Sequence, residues 1–144
     1  MNMTPFQLFT LANLVVVPAW LLLAIVPKWK WTRIIAAYAL PAGLAVVYLL
    51  VMLQEFDLDG GGFGSLEEVS RLFQNPWMLL AGWIHYLAFD LFVGAWEVRD
   101  ASRLNVPHTY VIPCLLLTFL AGPVGLLLYF IVRVSVVRRL PGRE

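Results

Sequence analysis

Long, uninterrupted hydrophobic segments alternate with short polar stretches along most of this chain. Four such segments cover residues 6–26, 32–53, 77–98 and 110–137. A helix needs about 20 apolar residues to cross about 30 Å of hydrocarbon, and each segment is long enough. The runs lack the apolar–polar alternation of barrel strands, and a helix satisfies its own backbone hydrogen bonds in lipid. The pattern therefore predicts an all-α, multi-pass membrane protein in which four transmembrane helices form one domain over residues 1–144.

The connections between these segments differ in length and character. The first loop, 27–31, is so short that helices one and two are expected to form an antiparallel hairpin. The second connection contains acidic residues, three consecutive glycines and then Ser65 and Glu68 at the spacing of a capping box. Apolar side chains follow at helical spacing, which predicts a short amphipathic surface helix over residues 66–73.

Prolines interrupt three of the four predicted helices. Each proline removes one intrahelical hydrogen bond and is expected to kink its helix, so the sequence predicts a kinked bundle. The kinks either shape the bundle or bow the helices apart around a central cavity. The strongest candidate for the second role is Gly122-Pro123-Val124-Gly125, because carbonyl groups freed there could face such a cavity. The prolines are Pro18, Pro41, Pro113 and Pro123.

His85 and Asp90 lie at the middle of the third hydrophobic segment. A charged group at this depth costs roughly 2.5–3.5 kcal/mol, so ionisable residues inside membranes are usually functional. At about 100° per residue the two side chains point about 140° apart, so both could border one groove filled by a helix or a ligand. The sequence therefore predicts catalytic roles for these two residues. The predicted ligand-binding residues around them are Trp83, Tyr86, Phe89, Glu97 and Pro123. Secondary polar candidates on the other helices are Asn13, Tyr38, Tyr48, Gln54, Tyr110, Thr118 and Tyr129.

A purely structural role for the same residues stays open. His85 and Asp90 could hydrogen-bond to neighbouring helices, which contributes about 0.6 kcal/mol per bond on average. The charged residues at the end of helix three predict a solvated cluster of ion pairs: Glu97, Arg99, Asp100 and Arg103. Five Lys and Arg residues fall on each side of the predicted bundle, so the charge rule leaves its orientation undecided.

Composition agrees with a membrane location and removes other function classes. Of 144 residues, 61% are hydrophobic and 13% charged, and the mean hydropathy is +0.81. A net charge of +1 without a basic arm excludes nucleic acid as a partner. The single cysteine, Cys114, excludes an internal disulfide or a cysteine-based metal cluster, and its apolar setting predicts a buried, unreactive thiol. The expected partners are the lipid bilayer and an apolar ligand; homo-oligomer formation stays open.

Three features predict a protein without a metal or cofactor. The two histidines are far apart in predicted depth, since His85 is mid-membrane and His108 is near the surface, which argues against a haem held by both. The chain has no phosphate-binding glycine loop and no dinucleotide fingerprint.

Two motifs resemble one family of membrane proteins. These are Trp83-Ile84-His85-Tyr86-Leu87-Ala88-Phe89-Asp90-Leu91-Phe92-Val93-Gly94 and Ala121-Gly122-Pro123-Val124-Gly125-Leu126-Leu127, together with Phe63-Gly64-Ser65-Leu66 and Asn75-Pro76. The chain resembles the abscisic-acid-deficient-four-like family, whose plant members are associated with neoxanthin synthesis from violaxanthin. That reaction opens an epoxide and removes a proton from the adjacent polyene carbon to give an allene. It needs a general acid and a general base but no redox cofactor.

The resemblance implies a carotenoid or related isoprenoid as ligand, with two functions open. The protein is either a cofactor-independent carotenoid isomerase or a non-catalytic membrane scaffold or pigment-binding protein. Only the first predicts substrate turnover that is lost when His85 or Asp90 is replaced. A small transporter is the weakest alternative, because helices one, two and four offer few polar groups to continue a path across the bilayer.

Overall fold

The protein is described here by a computed structural model that covers residues 3–55 and 61–137. All regular secondary structure in these ranges is helical. Four helices are long and apolar enough to cross a membrane, which confirms the predicted fold class. The acidic stretch 56–60 and residues 138–144 lie outside the described residues. The helices are α1 (Pro5–Ile25), α2 (Lys30–Glu55), α3 (Leu66–Leu72), α4 (Pro76–Arg103) and α5 (His108–Val137).

Short polar side chains set where the helices begin. The hydroxyl of Thr4 accepts a hydrogen bond from the backbone N–H of Gln7 at the start of α1, and the Gln7 side chain accepts one from the Thr4 N–H. Ser65 caps the short helix α3 by accepting from the Glu68 N–H at 3.2 Å, as the sequence predicts. The Glu68 carboxylate accepts from Gly64 rather than from the cap residue itself. These bonds satisfy N–H groups that a helix start otherwise leaves free.

Helix α2 contains one wider turn ahead of its proline. Residues Ile35–Ala39 form a π-helical turn, in which the N–H of Leu40 bonds to the carbonyl oxygen of Ile35, five residues earlier. Pro41 follows directly and has no N–H to donate. The local irregularity therefore lies where the sequence predicts one.

Helix α4 is the centre of the bundle, packing against α1, α2 and α5. Phe9 of α1 lies against Trp83 with ring centroids 5.4 Å apart, and Trp20 lies against Gly94 further along both helices. Helices α1 and α4 therefore run in the same direction. Gly94 allows this approach, because a Cβ there would lie 2.6 Å from the Trp20 ring.

Helix α5 is broken at Ala121, whose φ of −153° and ψ of 53° are not helical. In an unbroken helix, Thr118 and Gly125 would be about 10 Å apart along the axis. Here they are in contact, and a Cβ at position 125 would collide with the backbone nitrogen of Thr118. The two halves, 108–120 and 122–137, therefore turn back on one another.

Contacts with the other helices give the direction of each half. His108, at the start of α5, has its Nε2 3.0 Å from the carbonyl oxygen of Ala24, and Gly122 lies beside Asp90 at the middle of α4. The second half then returns, because Tyr129 contacts the Trp96 ring at 5.4 Å and Arg133 binds Asp100 at 2.8 Å. The predicted kink is present but is a reversal, so α5 is a helical hairpin whose tip lies near Gly122.

Helix α5 changes the environment of two carboxyl groups, Asp100 through its returning half and Glu97 through Thr118 of its first half. Asp100 is only 6% exposed and accepts hydrogen bonds from the Tyr129 hydroxyl at 2.9 Å and from Arg133, while Arg103 lies 3.4 Å away. Glu97 is fully buried. The prediction of a solvated cluster is therefore wrong for both carboxyl groups. The reversal also places Arg133 at the same end of the bundle as Arg103, rather than at the opposite end.

Candidate functional site

The tip of the α5 hairpin is held to α4 by one side-chain hydrogen bond. Pro123 has no N–H, so the carbonyl of Phe119, four residues earlier, loses its helical partner. The hydroxyl of Tyr86 donates to this carbonyl oxygen at 3.0 Å. Pro123 thus frees a carbonyl group in α5, and Tyr86 of α4 supplies its new hydrogen-bond partner.

Asp90 lies one helical turn after Tyr86, on the same face of α4 and close to the Tyr86 hydroxyl. Its carboxyl group faces Gly122 at the hairpin tip, where a Cβ would lie 2.5 Å from one carboxyl oxygen. Glycine is therefore needed for this approach. The other oxygen, Oδ2, is buried and has no hydrogen-bond partner among the described residues.

Glu97 extends the same face of α4 two turns further. The Thr118 hydroxyl donates to its Oε1 at 2.9 Å, across the interface with the first half of α5. Its Oε2 is buried and lacks a partner within the part of the chain that the structure describes. Buried polar atoms are almost always hydrogen-bonded, because leaving one unpaired costs about 1–3 kcal/mol. Two unpaired carboxyl oxygens at one helix interface therefore make this the candidate functional site.

An apolar groove lies beside α4 beyond the hairpin tip. It encloses about 420 Å³ and is lined by side chains of α1 and α4, among them Phe6, Phe9, Leu79 and Trp83. The indole N–H of Trp83 donates to the Asn13 side-chain oxygen at 3.3 Å, which fixes the ring. The Trp83 ring also lies 5.3 Å from the Tyr86 ring, so the two aromatic side chains connect the groove to Asp90.

His85 lies on a different face of α4. Its ring stacks on Phe89 at 4.4 Å and lies 5.9 Å from Tyr48 of α2. It borders a separate cavity of about 290 Å³ beneath α3, lined also by Phe73 and Gly82. The structure thus places Tyr86 close to Asp90, with Glu97 two turns further on the same face. Trp83 lies against Tyr86, and Pro123 follows Gly122 at the hairpin tip. His85 and Phe89 lie outside this group. The catalytic roles predicted for His85 and Asp90 stay predictions.

Sequence reasoning missed two pairings in this site. Thr118 is noticeable as a hydroxyl in an apolar helix, but nothing in the sequence connects it with Glu97. Gly122 is noticeable because it precedes a helix-breaking proline, but its contact with Asp90 depends on where the break falls along α4. The thiol of Cys114 is buried and donates to the Tyr110 carbonyl oxygen at 3.3 Å, in agreement with an unreactive side chain.

Comparison with known proteins supplies the family. A family model described as ABA DEFICIENT 4-like matches residues 7–129. The chain belongs to this family. The matched segment of the ABA4-like chain runs from α1 into the second half of the α5 hairpin and includes Asp90, Glu97 and Gly122. No curated protein and no solved structure matches the chain.

Proposed function

We propose that this ABA4-like protein is a multi-pass membrane protein that binds a carotenoid or related isoprenoid and isomerises it by proton transfer. One observation carries the proposal: half-buried Asp90 and fully buried Glu97 each have a buried carboxyl oxygen without a partner among the described residues. Packing alone would favour pairing these oxygens. The rings of Trp83 and Tyr86 connect Asp90 to an apolar groove, an arrangement that suits a site for a hydrophobic molecule.

The shape and lining of the groove suit an elongated polyene. Phe9, Trp83 and Tyr86 form a continuous row of rings, with centroids 5.4 and 5.3 Å apart. Flat aromatic faces provide large apolar contact areas for a flat conjugated chain. Phe6 is 77% exposed at the outer edge of the groove, so the groove is open towards the surrounding lipid. A hydrophobic ligand would therefore reach the site without crossing water.

The proposed chemistry uses Tyr86 and Asp90. The Tyr86 hydroxyl gives up its hydrogen bond to the Phe119 carbonyl and delivers its proton to an epoxide oxygen as the carbon–oxygen bond breaks, and Asp90 removes a proton from the adjacent polyene carbon. The product has the same atoms and electrons as the substrate, and the proton returns from Asp90 to Tyr86. Glu97 is a positioning residue here, because it is fully buried and holds Thr118 of the hairpin. His85 takes no part in this scheme.

Binding is tested with protein purified from a host that makes carotenoids. Wild-type protein is expected to retain bound pigment. Trp83→Ala should retain at least about tenfold less, because truncating an aromatic side chain that packs on the ligand costs about 1.5–3 kcal/mol. Trp31→Ala is the matched control, since Trp31 is similarly exposed but lies at the opposite end of the bundle. Equal pigment in wild type and Trp83→Ala, or none in wild type, would reject the proposed site.

We also propose an orientation in the membrane. Because the second half of the α5 hairpin runs back towards Asp100, Arg133 lies at the same end of the bundle as five other Lys and Arg residues. Among the described residues, only Arg71 lies at the opposite end. Cytoplasmic loops carry the excess of Lys and Arg, so this basic end faces the cytoplasm. Its described cations are Lys28, Lys30, Arg33, Arg99, Arg103 and Arg133.

Single cysteines in a Cys114→Ala background test this orientation. An impermeant thiol reagent added to intact cells should label a cysteine at Gln74 and leave cysteines at Asn105 and Ser135 unlabelled until the membrane is opened. All three positions are exposed. If position 135 is labelled together with position 74, α5 crosses the membrane as one helix and the hairpin is wrong.

A further inference from the structure

A second cavity lies at the basic end of the bundle, far from Asp90. It encloses about 490 Å³ between the α1–α2 loop and the last turns of α4. Five cationic side chains line it, and no acidic side chain is among its lining residues. The cations are Lys28, Lys30, Arg33, Arg99 and Arg103.

These cations are available to a ligand. All five are exposed, and only Arg103 has an ion pair within residues 3–55 and 61–137, a 3.4 Å contact with Asp100. Arg133 binds the other oxygen of Asp100 at 2.8 Å, and the Arg103 side chain is 76% exposed, so its remaining N–H groups can reach a ligand. Five positive charges around one cavity repel each other, and a bound anion would reduce this repulsion. Arg side chains bind phosphate oxygens through two parallel hydrogen bonds, which makes phosphate the anion that best suits the site.

The cavity also has an apolar side. Leu23, Ala95 and Val98 contribute to its lining, directly below the ring of charges. Trp29 lies in the same loop and Trp31 in the first turn of α2, and tryptophan is typical of the interface between hydrocarbon and headgroups. A basic pocket between helices at the cytoplasmic side of a membrane is suited to an anionic lipid headgroup.

We propose that this cavity binds a phosphate group, carried either as the headgroup of an anionic phospholipid or as a soluble phosphate compound. The apolar lining favours the lipid. The site is independent of the groove beside Asp90 and takes no part in the proposed isomerisation.

The test uses the full chain purified in a neutral detergent at constant ionic strength. The thermal unfolding midpoint is measured against the concentration of dioctanoyl phosphatidylglycerol, dioctanoyl phosphatidylcholine or inorganic pyrophosphate. A ligand that binds only the folded protein raises this midpoint as its concentration increases. We expect phosphatidylglycerol to raise it and phosphatidylcholine to have little effect. A rise with pyrophosphate of the same size would identify a soluble phosphate compound as the ligand instead of the lipid.

Two variants locate the effect. Replacing two cations in Arg33→Gln/Arg99→Gln should raise the apparent dissociation constant for phosphatidylglycerol about 30-fold. Arg71→Gln, which removes an exposed cation at the opposite end, should change it less than twofold. Equal stabilisation by the charged and neutral lipids, or the same loss in Arg71→Gln as in the double variant, would overturn the proposal.

Discussion

Gly125→Ala is expected to be among the most destabilising single changes in this protein. The added methyl group would collide with the backbone nitrogen of Thr118, where the two halves of α5 cross. Backbone cannot move aside as a flexible side chain can, so the halves must separate. Overpacking of this kind costs about 3 kcal/mol or more, equivalent to a lower unfolding midpoint by roughly 10 °C. The measurement is thermal unfolding in detergent, followed by size-exclusion chromatography of the soluble fraction.

Gly43→Ala is the matched control for this change. Gly43 is also in an apolar helix, but a Cβ there would meet nothing within 4 Å. Replacing such a glycine by alanine stabilises a helix by roughly 0.5–1 kcal/mol. The unfolding midpoint should therefore stay the same or rise slightly. If Gly125→Ala behaves like Gly43→Ala, the close crossing of the two halves is contradicted.

Asp90→Asn is expected to lower the rate of carotenoid isomerisation at least about 100-fold. The amide keeps the size of the carboxyl group but cannot accept a proton from a polyene carbon, and general-base catalysis contributes about 10²–10⁴-fold. The measurement is the conversion of an epoxy-carotenoid by purified protein, with product separated by chromatography. Retained pigment in the same preparation shows that the variant still folds and binds.

His85→Gln is the comparison that separates the two candidate acid/base groups. His85 lies in the other cavity, against Phe89 and Tyr48, so its replacement should change the rate less than twofold. A large loss in His85→Gln with activity kept in Asp90→Asn would favour the histidine predicted from the sequence. Full activity in both variants would reject proton transfer at either residue.

The sequence predicts the number and positions of the apolar helices well, because helix length and helix capping depend only on residues that are close together in the chain. Helix length follows from the hydrophobic run, and the start of α3 follows from the Ser65 cap. Only local hydrogen bonding is needed to place the irregular turn in α2 before Pro41. Helix α4 extends beyond the predicted residue 98 to Arg103, because the returning half of α5 covers its last turns and binds Asp100 there.

The course of α5 and the make-up of the site could not be predicted in the same way. Gly122 and Pro123 predict a break in α5. The direction of the helix after the break depends on hydrogen bonds from Tyr129 and Arg133 to Asp100, about thirty residues earlier in the chain. From its sequence position Glu97 is expected at a solvated helix end, but in the structure it is fully buried and binds Thr118 of α5. The angle between His85 and Asp90 follows from helical geometry. Helical geometry does not show whether the face of His85 or the face of Asp90 borders the α5 hairpin.

The shortness of the α5 hairpin affects the route by which a hydrophobic reactant would reach the proposed site. Each half rises about 20 Å, so placed in a bilayer its tip stops near the midplane. Beside α4, the part of the bilayer beyond Gly122 is then left to lipid, or to the hydrophobic ligand proposed for the groove lined by Phe9 and Trp83. A reactant would arrive sideways, from the leaflet opposite the cytoplasm alone. Under the proposed function, occupancy of the site would depend on how much of the reactant is dissolved in that leaflet, and not on its concentration in either aqueous compartment.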